Sequence, residues 1–157
     1  MDRIPITTEG YARLKKELEK LKTIDRKEIV AAIAEARSHG DLSENAEYDA
    51  AKERQGMIEA RIAELESKMG RFHVIDTKSL SGDKIVFGAT VTIENIETEE
   101  QKNYKIVGPD EANISNGTIS IMSPLARALV NKKVGDEVLV VAPGGELEYE
   151  VLEVKFN

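Results

Sequence analysis

The chain is 157 residues long, 41% hydrophobic and 32% charged, with a formal net charge of -7, a balance that fits one ordinary globular domain or two small ones and excludes wholesale disorder. It has no cysteine, which excludes a disulfide framework, a thiolate metal site and thiol redox chemistry, and suits a reducing cytoplasm. The start, "MDRIPITTEGYARLKK", lacks an apolar export core, and no run approaches the roughly 20 apolar residues of a membrane span, so neither export nor membrane insertion is expected.

The first predicted element is a helix from about Thr8 to Ser38. Thr7 can cap it, Glu9 favours its positive end, and Ile6 and Tyr11 stand at the spacing of a hydrophobic staple. Its apolar stripe runs Tyr11, Leu14, Leu18, Leu21, slips by one residue around Ile24 and Asp25, and resumes at Ile29, Ile33 and Ala36. Such a slip reads as a local change of supercoil and not as a break. Gly40 then supplies the left-handed backbone that ends helices.

The returning helix carries Tyr48, Ala51, Gln55, Ile58, Ile62, Leu65, Met69 and Phe72 at alternating spacings of three and four, a heptad seam with one polar member. Two helices of about thirty residues, each on the order of 45 Å long, joined by a short turn, must lie antiparallel. The expected first domain, residues 1–75, is therefore an antiparallel coiled coil with a tip near 40–45.

After Phe72 the texture becomes polar and turn-rich in "DTKSLSGDK", and the apolar period falls from about 3.5 to 2. A domain boundary is expected near Asp76 to Gly82, and residues 76–157 form the second domain. Strands are expected in "KIVFGATVTIEN", "KNYKIVGP" and "GTISIM", a short helix in "SPLARALVNK", and a final hairpin of "DEVLVVA" and "ELEYEVLEVKF" around Pro143, Gly144 and Gly145. The fold class is α+β, with a small antiparallel sheet and one covering helix.

Charge is shared unevenly. Residues 1–75 hold 14 Lys and Arg against 15 Asp and Glu, whereas residues 76–157 hold 8 against 14. So acidic a chain binds phosphate backbones poorly in general, and any nucleic-acid contact should be local.

The informative stretch is "HGDLSENAEYDAAKERQ", in which Asp41, Glu44, Glu47 and Asp49 precede the next lysine. Asp41 followed three residues later by Glu44 resembles a capping box, and Ser43 is an alternative cap. Capping explains one or two carboxylates, not four at the end of a long projection. Asp41 and Glu44 can instead be oxygen ligands for a hard cation such as Mg2+, which accepts one or two carboxylates and keeps several waters. Such a half-site is useful only if another macromolecule supplies the remaining ligands.

These residues carry a resemblance. "GDLSENAEYDAAKERQ" resembles the tip signature of the bacterial Gre transcript-cleavage factors, "ITTEGYARLKKELEKLK" is similar to that family's opening, and "ISIMSPLARALVNKKVGDEVLVVAPGGELEYEVLEV" to its carboxy-terminal signature. The resemblance implies a coiled coil followed by a domain like the FK506-binding proteins, acting as a monomer in the cytoplasm on backtracked bacterial RNA polymerase. The rod would enter the polymerase's secondary channel. Asp41 and Glu44 would help hold the second catalytic Mg2+ and its water, so that the polymerase itself cleaves the 3' end of the nascent RNA. The chain would then be no enzyme, would bind no cofactor stably, and would share Mg2+ with its partner.

By the same resemblance Arg37 and Lys52 match a basic patch that touches the extruded RNA. The segment opening with Ser123, Pro124 and Leu125 would dock on the polymerase exterior. Tyr48, on the seam, is assigned to packing, and Asn45, Glu47 and Asp49 to shaping and electrostatics. His39 and His73 have no cysteine or second histidine nearby, so neither suggests zinc. The Gly144–Gly145 pair is a hairpin turn, since no Lys-Ser/Thr or helix follows as in a phosphate loop. Two rival readings are a Gre-like channel inhibitor, which a tip without D-x-x-E would favour, and a peptidyl-prolyl isomerase, which needs an aromatic-lined pocket.

Overall fold

A computed structural model describes residues 2–40 and 45–156, which form two compact units: residues 11–72, and residues 2–10 together with 73–156.

The first unit is a helical hairpin. The outgoing arm consists of α1 (Thr8–Lys20), a π-helical turn (Leu21–Asp25) and α2 (Arg26–Arg37); the returning arm is α3 (Ala46–Met69). The π-turn is the structural form of the slipped stripe. Leu21 and Ile29 are both buried although eight residues apart, and one wide turn absorbs the extra residue without breaking the helix. The slip is thus taken up inside one helix by a π-turn, and not by a change of supercoil. Ile24, in the wide turn, points to solvent at 49% exposure.

Leu14, Leu21, Ile29, Ile33 and Ala36 from the outgoing arm and Ala51, Ile62 and Leu65 from α3 are buried, as the two stripes predict. Ion pairs fix the register. Arg26 donates to both carboxylate oxygens of Glu59 at 2.8 and 2.7 Å, and Arg61 donates to both oxygens of Glu17 at 2.7 and 3.0 Å. Partners on α3 descend as those on the outgoing arm ascend, which makes the arms antiparallel. Phe72 lies beyond the helix, in a strand, and its ring meets Tyr11 edge-on, with centroids 6.2 Å apart.

The Arg61 fork holds the Glu17 carboxyl below the ordinary glutamate range, chiefly through its hydrogen bonds. A depressed carboxylate stabilises the fold above its unfolded pKa, and the contribution fades as pH falls through the folded value. With both side chains more than a third exposed, the pair is worth at most about 1 kcal/mol. Urea melts should therefore show Glu17→Gln slightly less stable than the parent at pH 7. The difference should close as pH falls below the usual glutamate pKa; a gap unchanged down to pH 3 would assign it to packing.

In the second unit, β1 (Ile4–Thr7) pairs with β2 (Phe72–Ile75), a two-stranded sheet that periodicity did not suggest. The main sheet contains β3 (Ala89–Asn95), β4 (Gln101–Val107), β5 (Thr118–Ser120), β6 (Glu137–Ala142) and β7 (Gly145–Phe156) in the order β5-β4-β3-β7-β6. The short α-helix α4 (Pro124–Leu129) buries Ala126 and Leu129 in a core with Val91, Ile93, Ile106 and Val151. β6 and β7 meet across a tight turn, Ala142 opposite Gly145, whose φ is 124°, as the Pro-Gly-Gly sequence predicts.

One pairing departs from an all-antiparallel sheet. β4 and β5 run parallel, with Lys105 opposite Thr118 and Val107 opposite Ser120, so the sheet is mixed. Parallel neighbours need a crossover, and residues 108–117 supply it. That excursion holds Glu111, a buried carboxylate that accepts hydrogen bonds from the Thr7 amide at 2.8 Å, the Thr7 hydroxyl and the Gly108 amide at 2.9 Å. Thr7 in turn caps α1 by accepting from the Gly10 amide at 3.0 Å. Glu111 therefore anchors the residue at which the first helix begins.

Candidate functional site

The turn of the helical hairpin is the candidate site. α2 ends with the Ser38 amide on the carbonyls of Ala34 and Glu35, and the Ser38 hydroxyl donates to Glu35 O at 2.6 Å. Gly40 follows with a φ of 101°, the positive value that favours glycine. The chain is described again from Asn45. Asp41 and Glu44, the two carboxylates assigned to Mg2+, and Ser43, the alternative cap, lie outside the described residues.

The cap of α3 is neither Asp41 nor Ser43. Asn45 Oδ1 accepts from the Tyr48 amide at 3.1 Å, and Asn45 Nδ2 donates to the Ala36 carbonyl at 2.6 Å. One side chain thus satisfies the first turn of α3 and ties it to the last turn of α2. The sequence signal was present, since asparagine is a strong N-cap residue, but the adjacent acidic residues drew the assignment two to four positions too early.

Around this staple the expected residues converge. Tyr48 is half-buried against Ile29, Ile33 and Ala51, as a seam residue should be. The guanidinium of Arg37 lies over its ring, 5.8 Å from the centroid, a contact worth about 0.5–1 kcal/mol at an exposed site. Lys52 Nζ donates to Gln55 Oε1 at 3.1 Å. Arg37, Lys52 and Gln55 together border a shallow groove of about 400 Å³ floored by Val30, Ile33 and Ala34. The two cations proposed for RNA, 15 positions apart in the chain, thus face one depression.

The acidic run is also not wholly without a basic neighbour. His39 Nδ1 lies 3.2 Å from a Glu47 carboxylate oxygen, across the turn, so protonated His39 pairs with Glu47. Among the described residues no group of three or more His, Asp or Glu could hold a metal ion. The donors at this end of the hairpin are hard carboxylate oxygens, the type Mg2+ accepts singly or in pairs.

In the second unit, Ser123 caps α4 by accepting from the Ala126 amide at 3.2 Å, Pro124 occupies the first helical turn, and Leu125 packs at the core margin. Of these three only Pro124 is exposed. Tyr104, Tyr149 and Phe156 pack against the core and Phe87 is buried. A groove of about 250 Å³ on this unit is lined by Asn95, Glu97, Leu139, Glu146, Leu147 and Glu148, none of them aromatic. That is unlike an isomerase pocket. Among the described residues no helix is long and apolar enough to cross a membrane.

Two family models cover nearly the whole chain: one described as "Transcription elongation factor, N-terminal" matches residues 4–74, and one described as "Transcription elongation factor, GreA/GreB, C-term" matches residues 80–156. The chain is 58% identical over 157 residues to transcription elongation factor GreA of Nitratidesulfovibrio vulgaris, covering 100% of this chain and 98% of that one. It is 57% identical over 157 residues to transcription elongation factor GreA of Hyphomonas neptunium, covering 100% of both. Among solved structures, the GreA factor homolog 1 of Thermus thermophilus is 30% identical and matches 98% of this chain and 99% of its own, at a TM-score of 0.43.

Proposed function

This chain belongs to the GreA/GreB family of transcription elongation factors, and on that premise we propose that it acts in trans on bacterial RNA polymerase in the cytoplasm, as a monomer. Its helical hairpin enters the secondary channel of a backtracked complex and stimulates the polymerase's own cleavage of the RNA 3' end. One observation carries this reading: Asn45 already caps α3, so capping of that helix does not account for Asp41 and Glu44.

In this reading Asp41 and Glu44 would hold Mg2+ jointly with ligands of the polymerase and would help orient the attacking water. The ion's part is to polarise the scissile phosphate and lower the pKa of bound water. Arg37 and Lys52, at the rim of the groove beside the turn, neutralise phosphates of the extruded RNA, with lysine acting as a point charge where arginine would offer a planar fork. Residues 1–75 carry the cleavage-inducing end, and residues 76–157 dock the factor through the segment at Ser123, Pro124 and Leu125. The preserved D-x-x-E spacing favours stimulation over channel blocking.

The direct test is RNA cleavage by a backtracked bacterial polymerase with and without the protein. Faster release of 3' fragments is expected, and incubation of RNA with the protein and Mg2+ alone should leave the RNA intact. Unchanged cleavage by the polymerase would reject the reading. Docking is tested on the full chain with Pro124→Glu, because Pro124 is exposed and an acidic first-turn residue is compatible with a helix start. The half-saturating factor concentration should rise several-fold while the rate at saturation stays unchanged. A lowered saturating rate at unchanged affinity would remove α4 from the docking surface.

A further inference from the structure

We propose that the free edge of β6 is a docking site for an extended basic segment of another protein, which adds a strand to the sheet with lysines or arginines alternating with apolar residues. The inference concerns the second unit alone and does not rest on the function proposed above.

β6 ends the sheet, and its register identifies the backbone groups left without a partner. The Val151 amide donates to the Asp136 carbonyl at 2.9 Å, and the Ile96 amide donates to the Glu148 carbonyl at 3.1 Å. Bonding alternates sides along an antiparallel strand, so Gly145, Leu147, Tyr149 and Val151 of β7 bond toward β6 and the residues between them toward β3. Val138, Val140 and Ala142, opposite Tyr149, Leu147 and Gly145, therefore spend their backbone groups on β7. Those of Glu137, Leu139 and Val141 point out of the sheet, and among the described residues nothing bonds to them. Such a row of open N–H and C=O groups is a template for one more strand.

The side chains of the same residues select the occupant. Leu139 and Val141 are 50% and 64% exposed. They share the outer face with Glu137 and with Glu148, Glu146 and Glu150, which stand opposite Leu139, Val141 and Glu137 in turn. No lysine or arginine occurs between residues 137 and 150, and among the described residues none of these carboxylates meets a basic side chain. Glu137, Leu139 and Glu148 border a shallow depression of about 220 Å³, where the apolar stem of a lysine can lie on Leu139 while its charge meets the glutamates. A second copy of this chain is disfavoured at the same edge, because pairing would bring two identical sets of carboxylates together. For a basic strand, main-chain bonds supply affinity and alternate side chains supply specificity.

The probe is a synthetic peptide of alternating lysine and valine with capped ends, titrated against the full chain. A control peptide carries proline in place of each valine, which keeps the charge and removes strand pairing. The lysine–valine peptide should bind and should protect the amides of Glu137, Leu139 and Val141 from hydrogen exchange, and the control should bind about tenfold more weakly, the scale of one or two lost hydrogen bonds. Val141→Pro deletes one outward amide and no bond to β7, a change that edge strands tolerate, so it should melt close to the parent and weaken peptide binding about fivefold. The double variant Glu146→Gln, Glu148→Gln keeps the side-chain size; it should also bind the peptide more weakly and with less dependence on salt, and it decides the matter if Val141→Pro melts early. Equal binding of the two peptides, protection of other amides, or no binding at millimolar peptide would overturn the proposal. Dimerisation that protects the same three amides without peptide would give the edge to a second copy and overturn the stated occupant.

Discussion

Asp41→Asn and Glu44→Gln should each lower polymerase-dependent RNA cleavage by on the order of 10- to 100-fold, the scale of losing a group that holds or orients a metal, while folding and binding to polymerase stay near the parent. Both substitutions keep size and remove only the charge that a hard cation requires. Neither should disturb α3, whose first turn is capped by Asn45. Raising Mg2+ should partly restore the single variants if weakened retention of the ion is the defect, whereas damaged docking would not respond. The measurement is the cleavage rate as a function of Mg2+ at saturating factor. Parent-like rates from both variants would reject metal delivery by these carboxylates, and a loss of thermal stability with cleavage preserved would return them to a structural role.

The second large effect concerns stability and lies far from the turn in sequence. Glu111→Ala removes the acceptor of the Thr7 amide, the Thr7 hydroxyl and the Gly108 amide, all in a buried setting. A buried donor left without its acceptor costs about 1–3 kcal/mol, so a total of about 3–5 kcal/mol is expected. At roughly 2–4 °C per kcal/mol for a chain of this size, the midpoint of thermal unfolding should drop by about 6–20 °C. Glu111→Gln, which keeps one acceptor oxygen but sets an amide donor among donors, should fall between Ala and the parent.

Gly108→Ala provides an independent check. A Cβ on Gly108 would overlap the Pro5 carbonyl oxygen, and one on Gly10 would overlap the Glu111 carboxylate, so both alanine variants should be destabilised, the second although alanine at Gly10 adds helix propensity. Parent-like melting of all these variants would mean that the start of α1 is held by contacts other than Glu111.

Much of this architecture was legible in the chain itself. The spacing of three and four from Tyr48 to Met69 specified α3 and its buried side, because a helix that hides one stripe must repeat its apolar residues at that interval. The shift to alternation after Phe72 marked the β-rich unit, with β3, β5, α4 and β6 inside the predicted stretches and β4 and β7 each starting one residue earlier than predicted. The one-residue slip between Leu21 and Ile29 was visible as a number. Its structural form, a π-turn, was not, because a spacing of eight can be accommodated either by supercoiling or within one wide turn, and only packing against α3 decides.

What tertiary structure decided shares one physical cause: partners distant in sequence leave no periodic trace. β1 and β2 are four residues each and are separated in sequence by the whole helical hairpin, so neither was distinguishable from a helix flank. The parallel pairing of β4 with β5 depends on how residues 108–117 cross over. Glu111 looked like one more surface carboxylate until Thr7, 104 positions away, was brought to it. Asn45 was recognisable as a possible cap from its type alone, but its second bond, to Ala36, exists only because the hairpin closes. The sequence by itself determined which residues are apolar at which interval, and hence the elements and the family; the tertiary structure decided which polar group meets which, because a hydrogen bond is satisfied by a neighbour in space and is indifferent to distance along the chain.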